Sequence, residues 1–243
     1  MRLGASSGKG SMPRERNVRS YVLRVLDTLN YFYSFRDLEK LLGVPFQSLW
    51  RYVNLLSIPE ERTAERILER VKKLNLIETA AREALEEVGD EIWRLARTPG
   101  FIQLFSIVAE EVIGVEKLNT VVAVTEEALS LATATAMELE AEVCYASERV
   151  KLEKRGFLTA QYRSRRYNEL RFLAIPRSCV RDGGKSALID TVLEDIDRIS
   201  AIVTLLRRAR NEVLGYVAIA ARREDLELVR SMGVERVRAV KLL

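Results

Sequence analysis

Between residue 120 and the C-terminus, short apolar runs rich in β-branched residues alternate with segments of helical periodicity. The runs fall at residues 120–124, 142–146, 170–175, 186–189, 213–221 and 237–240, with helical stretches near 126–140 and 198–210. A chain that alternates in this way buries its strands between two layers of helix, so the pattern predicts a mostly parallel α/β sheet. Ligands in such sheets bind where the strands end, at the carboxyl edge.

The first hundred residues have a different texture. Val18, Tyr21, Val22, Val25, Leu26 and Leu29 follow the spacing of a helix with one buried face. Ser34 is placed to cap a second helix, with Asp37 as its reciprocal partner and Leu38, Leu41 and Leu42 inside. Gly43 can take the positive φ of a tight turn, and Val44-Pro45 lead into a third helix that buries Leu49, Tyr52 and Val53. Two short helices joined by such a turn make a helix-turn-helix arrangement, or equally an αα-hairpin in a helical bundle. On the former reading Phe46, Gln47, Ser48, Trp50 and Arg51 face outward, and Gln47 and Arg51 suit base edges in the major groove of double-stranded DNA. Arg14, Arg16 and Arg19 would neutralise phosphates beside it. Glu39 stands where a small residue usually lets the two helices approach, so it must tilt outward. Pro59-Glu60-Glu61 open another helix, and a further one is expected over 78–97. Pro99-Gly100 marks a boundary, giving a basic arm and helical domain over 1–76, a connecting helix over 77–99 and an α/β domain over 100–243.

Composition excludes several chemistries. There is no histidine, which removes imidazole ligands, His-based triads and imidazole acid–base catalysis. Two cysteines, Cys144 and Cys179, predict neither a disulfide framework nor a thiolate metal site. No metal and no cofactor are expected. No apolar stretch is long enough to cross a bilayer, and residues 1–16 lack the apolar centre of a signal peptide, so a cytoplasmic protein without membrane contact is expected. The net charge of +4 is uneven: residues 1–20 carry five basic side chains against one acidic, and residues 148–171 carry eight against three. Such clustering suits anionic partners.

The segment from Ser186 through Asp190, Thr191, Glu194, Asp195 and Asp197 to Ala220 resembles the phosphoribosyl pyrophosphate loop of type I phosphoribosyltransferases, and residues 120–134 look like that family's first strand, loop and helix. Residues 148–171 sit where the family has a flexible hood hairpin, which would bring Arg149, Lys151, Lys154, Arg155, Arg163, Arg165 and Arg166 over the site. With the N-terminal module, and with Arg51-Tyr52-Val53-Asn54 followed by Pro59-Glu60-Glu61, the whole chain resembles archaeal regulators that join a helix-turn-helix to a phosphoribosyltransferase-like domain. The resemblance implies an all-α DNA-binding domain followed by a mostly parallel phosphoribosyltransferase-like sheet.

The phosphate loop departs from the family pattern. A working loop offers backbone N–H groups and small neutral residues to the 5′-phosphate. Here the second strand-end acid is Thr191, and Glu194, Asp195, Ile196 and Asp197 fill the loop. Carboxylates within about 4 Å of a phosphate each cost on the order of 1 to 4 kcal/mol, although the same acids could simply cap the next helix. Ala128-Leu129-Ser130 likewise lacks the glycine of the family's first loop. The sequence therefore predicts a catalytically inactive domain that dimerises a sequence-specific transcriptional regulator, with a nucleotide-like effector as a further partner. The alternatives are an active or ligand-sensing phosphoribosyltransferase of nucleotide salvage, and a protein-interaction scaffold.

Overall fold

The computed structural model describes residues 17–114, 116–148 and 156–243. The chain opens with α1 (Val18–Leu29), capped by the Asn17 side chain, and α2 (Phe35–Leu42), capped by Ser34 at the Asp37 amide. Gly43, at φ +66°, ends α2, and α3 (Phe46–Val53) follows. Pro45 at the N-cap of α3 offers no side-chain oxygen, and the carboxylate of Glu39 fills that role by accepting from the Phe46 amide at 3.1 Å. Glu39 thus leans out of the helix pair and fastens it. Next come α4 (Glu61–Lys73) and α5 (Leu76–Val88), and Gly89 at φ +57° breaks the helix expected over 78–97. What remains of that helix is a 3₁₀ turn, Ile92–Arg97.

Pro99 does not close a helix but starts one. It occupies the first turn of α6 (Pro99–Ile113), where its missing N–H costs nothing. Phe101, Leu104, Phe105, Ile107, Val108 and Ala109 are all buried there, and full burial of such side chains stabilises by about 1.5 to 3 kcal/mol each. Gly100 is required at this point, because a Cβ would lie 2.6 Å from the Tyr31 side chain.

The sheet domain contains β1 (Thr120–Ala123), α7 (Leu129–Leu139), β2 (Glu142–Tyr145), the hairpin β3 (Phe157–Ser164) and β4 (Glu169–Pro176), β5 (Lys185–Val192), α8 (Ile196–Arg208), β6 (Glu212–Ala221), α9 (Arg223–Ser231) and β7 (Arg236–Leu242). Five parallel strands run in the order β2-β1-β5-β6-β7, and β3 and β4 pair apart from them as an antiparallel hairpin. Strand alternation divides the core. Val121, Ala123, Ala187 and Ile189 face α6 and α7, whereas Val122, Val124, Leu188 and Tyr216 face α8 and the hairpin. The first of these clusters continues without interruption into α1–α5. Arg24 of α1 crosses the seam, paired with Glu110 of α6 and Glu138 of α7.

The cysteines correct the sequence expectation. Cys144 on β2 lies 5.9 Å (Cα–Cα) from Cys179, the last residue of the short 3₁₀ turn that follows β4, and the two form a disulfide that closes a span of 35 residues. That proximity is a product of sheet order. Among the described residues no helix is long and apolar enough to cross a membrane.

Candidate functional site

The connection from β1 leaves toward β2 and that from β5 leaves toward β6, so the chain diverges between β1 and β5, and a crevice opens at their carboxyl ends. A cleft of about 970 Å³ occupies this point. Its floor is Asp190, the last inward side chain of β5 and only 2% exposed. The Asp190 carboxylate accepts from the Tyr216 hydroxyl at 3.1 Å, the Thr191 amide at 2.9 Å and the Thr125 hydroxyl at 3.4 Å. Burial pushes its pKa up to about 7, and these donors only partly offset it. Tyr216, equally buried and facing that carboxylate, is pushed well above the ordinary phenol value.

One wall of the cleft is built by the hairpin and the start of α8. Arg165, in the turn of the hairpin, donates from its backbone N–H to Asp197 Oδ2 at 2.9 Å and from Nε to Oδ1 at 3.0 Å. Partial burial alone would raise the Asp197 pKa, but the Arg165 hydrogen bonds prevail and hold it below the usual carboxylate range. Arg166 pairs with Glu194 at 3.2 Å, and the Tyr167 hydroxyl reaches the same carboxylate at 3.3 Å. Deeper in, Glu148 accepts from Arg198 at 3.0 Å, Arg171 at 3.2 Å and the Tyr162 hydroxyl at 2.6 Å. Asp195 caps α8 by accepting from the Asp197 amide at 3.1 Å, while its other oxygen is buried with no hydrogen-bond partner among the described residues.

The opposite wall comes from the 3₁₀ turn and the β1–α7 connection. Trp93, Ala96, Arg97, Glu126, Glu127 and Ser130 line it. The Ser130 hydroxyl donates to the Ala96 carbonyl and so anchors the 3₁₀ turn to α7. Tyr145 donates to Glu126 at 3.0 Å, and burial, followed by that carboxylate, raises its pKa to about 12. The N-cap position of α7, Ala128, carries no side-chain cap.

The sequence-derived candidates are scattered. Asp190, Thr191, Glu194 and Asp195 converge on the cleft, and Asp197 lies just behind it, held by Arg165. Arg163 instead bonds along the hairpin to Asn168 at 3.3 Å. Arg149, Lys151, Lys154 and Arg155, and Arg14 and Arg16 of the N-terminal arm, lie outside the described residues. Phe46, Gln47, Trp50 and Arg51 are exposed on α3 and Ser48 is half-buried. Arg19, expected to reach phosphates, donates its Nε to the Pro59 carbonyl at 2.9 Å. Asp182-Gly183-Gly184-Lys185 lies at the amino end of β5, away from the cleft, where Lys185 pairs with Glu116.

Sequence reasoning did not single out Tyr216, Thr125, Glu148, Arg198, Trp93 or Arg97. Arg198 left one signal: a cation in the first turn of a helix opposes the dipole, so such a residue needs a nearby anion, here Glu148.

No protein-family model and no curated relative matches the sequence. Solved structures do. Adenine phosphoribosyltransferase from Thermoanaerobacter pseudethanolicus matches at TM-score 0.52 and 13% identity, over 61% of this chain and 84% of its own. The enzyme from Rhodothermus marinus matches at 0.51 and 19%, over 60% and 81%. That from Giardia lamblia, complexed with 9-deazaadenine, matches at 0.52 and 14%, over 60% and 82%. The sheet domain has the phosphoribosyltransferase fold.

These likenesses correct the expectation of a DNA-binding transcriptional regulator carried on an inactive phosphoribosyltransferase-like domain. The solved structures just named are adenine phosphoribosyltransferases, and none of them points to transcription regulation or DNA binding. The electrostatic argument for inactivity fails with it. Asp195 does cap the next helix, as the sequence allowed, but Glu194 and Asp197 are paired with Arg166 and Arg165, partners that the count of loop acids left out.

Proposed function

We propose that the protein is a phosphoribosyltransferase of nucleotide salvage whose substrates meet in the cleft between β1 and β5. The observation that carries the reading is the buried Asp190 at the floor of an open cleft, at the switch point of a phosphoribosyltransferase-fold sheet. A carboxyl group titrating near pH 7 both accepts and donates hydrogen bonds, which suits the hydroxyls of a ribose ring. Thr191 and Thr125 add hydroxyls beside it.

Seven carboxylates and three guanidinium groups line the cleft, so a diphosphate is received best as its magnesium salt. The uncapped start of α7 favours the diphosphate, while α8 already holds its own carboxylate. In the reaction a base nitrogen bonds to ribose C1 as the bond from C1 to the pyrophosphate oxygen breaks, and the proton of the base N–H leaves with the pyrophosphate. The protein contributes mainly by holding the two reactants together and excluding water.

The proposal extends to the N-terminal helices only as packing geometry. The Gly43 turn and the Glu39 cap support a helix-turn-helix arrangement of α2 and α3, carried on the sheet domain through α1 and α6.

Calorimetric titration with magnesium phosphoribosyl pyrophosphate, followed by an assay of pyrophosphate release with each common nucleobase, tests the reading. Micromolar binding and base-dependent release are expected. Absence of both overturns it.

A further inference from the structure

We infer that Trp93, flanked by Arg97, is the surface on which the nucleobase stacks; the inference rests on the cleft being a nucleotide site. A 3₁₀ helix has three residues per turn, so positions 92 and 95 share one side of the Ile92–Arg97 turn and position 93 faces another. Ile92 and Leu95 are 8% and 2% exposed, yet Trp93 between them is 45% exposed and lines the cleft. The turn cannot rotate to bury it, because Ile92 and Leu95 are in the core and the Ala96 carbonyl is held by Ser130. An open indole on an anchored element, in a cleft otherwise lined mostly by charged groups, is a large apolar surface awaiting a planar partner.

The Arg97 guanidinium lies 5.0 Å from the Trp93 ring centre and covers one face. Nearly half of the residue's surface remains open beside that contact, and any base can stack on an open aromatic ring. The two other aromatic rings of the cleft are committed. Tyr145 is half-buried and tied to Glu126, and the Tyr167 ring has Arg171 at 4.0 Å and Arg166 at 5.7 Å. Glu126 and Glu127 line the same cleft and offer acceptors, which suits the amino group of a base such as adenine.

The test uses the full chain in a Trp50→Phe background, which leaves Trp93 as the sole indole. Adenosine monophosphate should quench Trp93 emission saturably. Ribose 5-phosphate, which has no base, should bind by calorimetry without quenching. Trp93→Ala should weaken adenosine monophosphate binding about 10- to 100-fold and leave ribose 5-phosphate binding unchanged, with Trp93→Phe recovering most of the loss. If adenosine monophosphate binds no more tightly than ribose 5-phosphate, or binds Trp93→Ala as tightly as the parent, the stacking role is overturned while the cleft stands as a phosphoribosyl site. If neither compound binds the parent, the nucleotide site itself is overturned, and the stacking role with it.

Discussion

The two walls of the cleft are made of similar material and are in opposite states. On the hairpin side every acid named by sequence reasoning is engaged: Asp197 by Arg165, Glu194 by Arg166, and Asp195 by the amide of α8 that it caps. On the side of the 3₁₀ turn Trp93 is open, Glu126 and Glu127 are exposed, and α7 begins without a side-chain cap. Both walls are rich in carboxylates, but arginines answer Glu194, Asp197 and Glu148 on the hairpin side, whereas on the other side Glu126 has the Tyr145 hydroxyl and Glu127 is exposed. The hairpin wall is therefore tied into the fold, and the open wall is the one that our proposal gives to the ligand. Counting charges along the chain ranks the two the wrong way round.

Asp190, on the floor between the walls, gives the largest expected effect. Its folded-state pKa is raised to about 7 from 3.8, so the unfolded chain ionises first as pH rises. Stability is then fully present below about pH 4, falls between pH 4 and pH 7, and is level above, a loss of about 4 kcal/mol from this group. Denaturant unfolding across that window should show the decline, and Asp190→Asn should flatten it. Equal slopes in both proteins would mean that the floor is wetter than its burial indicates.

The disulfide behind the hairpin comes next. It closes 35 residues, for which loop entropy gives about 3 to 4 kcal/mol. Cys144→Ser should lower the thermal midpoint by roughly 6 to 16 °C. A fall of less than about 2 °C would show that the ion pairs hold that wall unaided.

The smallest effect separates binding from stability. Arg165→Ala removes a guanidinium that is itself 74% exposed from the half-buried Asp197 carboxylate, so the melting temperature should fall only slightly. Ribose 5-phosphate should nevertheless bind roughly three- to tenfold more weakly at low salt, with the difference shrinking as salt screens the charge. A large drop in melting temperature with unchanged binding would reverse the contrast between the walls.

Much of the fold was legible because its signals are local. The alternation of apolar runs located six of the seven strands, and the caps at Ser34 and Gly43 located α2 and its end. Helix α6 escaped because it is buried on most sides, so Phe101 to Ile113 show no polar stripe, and Pro99-Gly100 read as a boundary rather than as a helix start. The site was only half legible. Asp190 and Thr191 stand at the end of a recognisable strand, but Tyr216 and Thr125 meet them only through strand pairing, and Trp93 is outside the sheet domain as the sequence divides it.

The amino-acid order by itself determined the elements: periodicity, caps and turn glycines act over a few residues, and an absent histidine excludes its chemistry in any fold. The tertiary structure decided which charges are neutralised, which cysteines meet and which aromatic ring is left open. Those outcomes depend on pairs far apart in the chain, such as Arg165 with Asp197 and Cys144 with Cys179, and electrostatic energy follows their separation in space rather than in sequence.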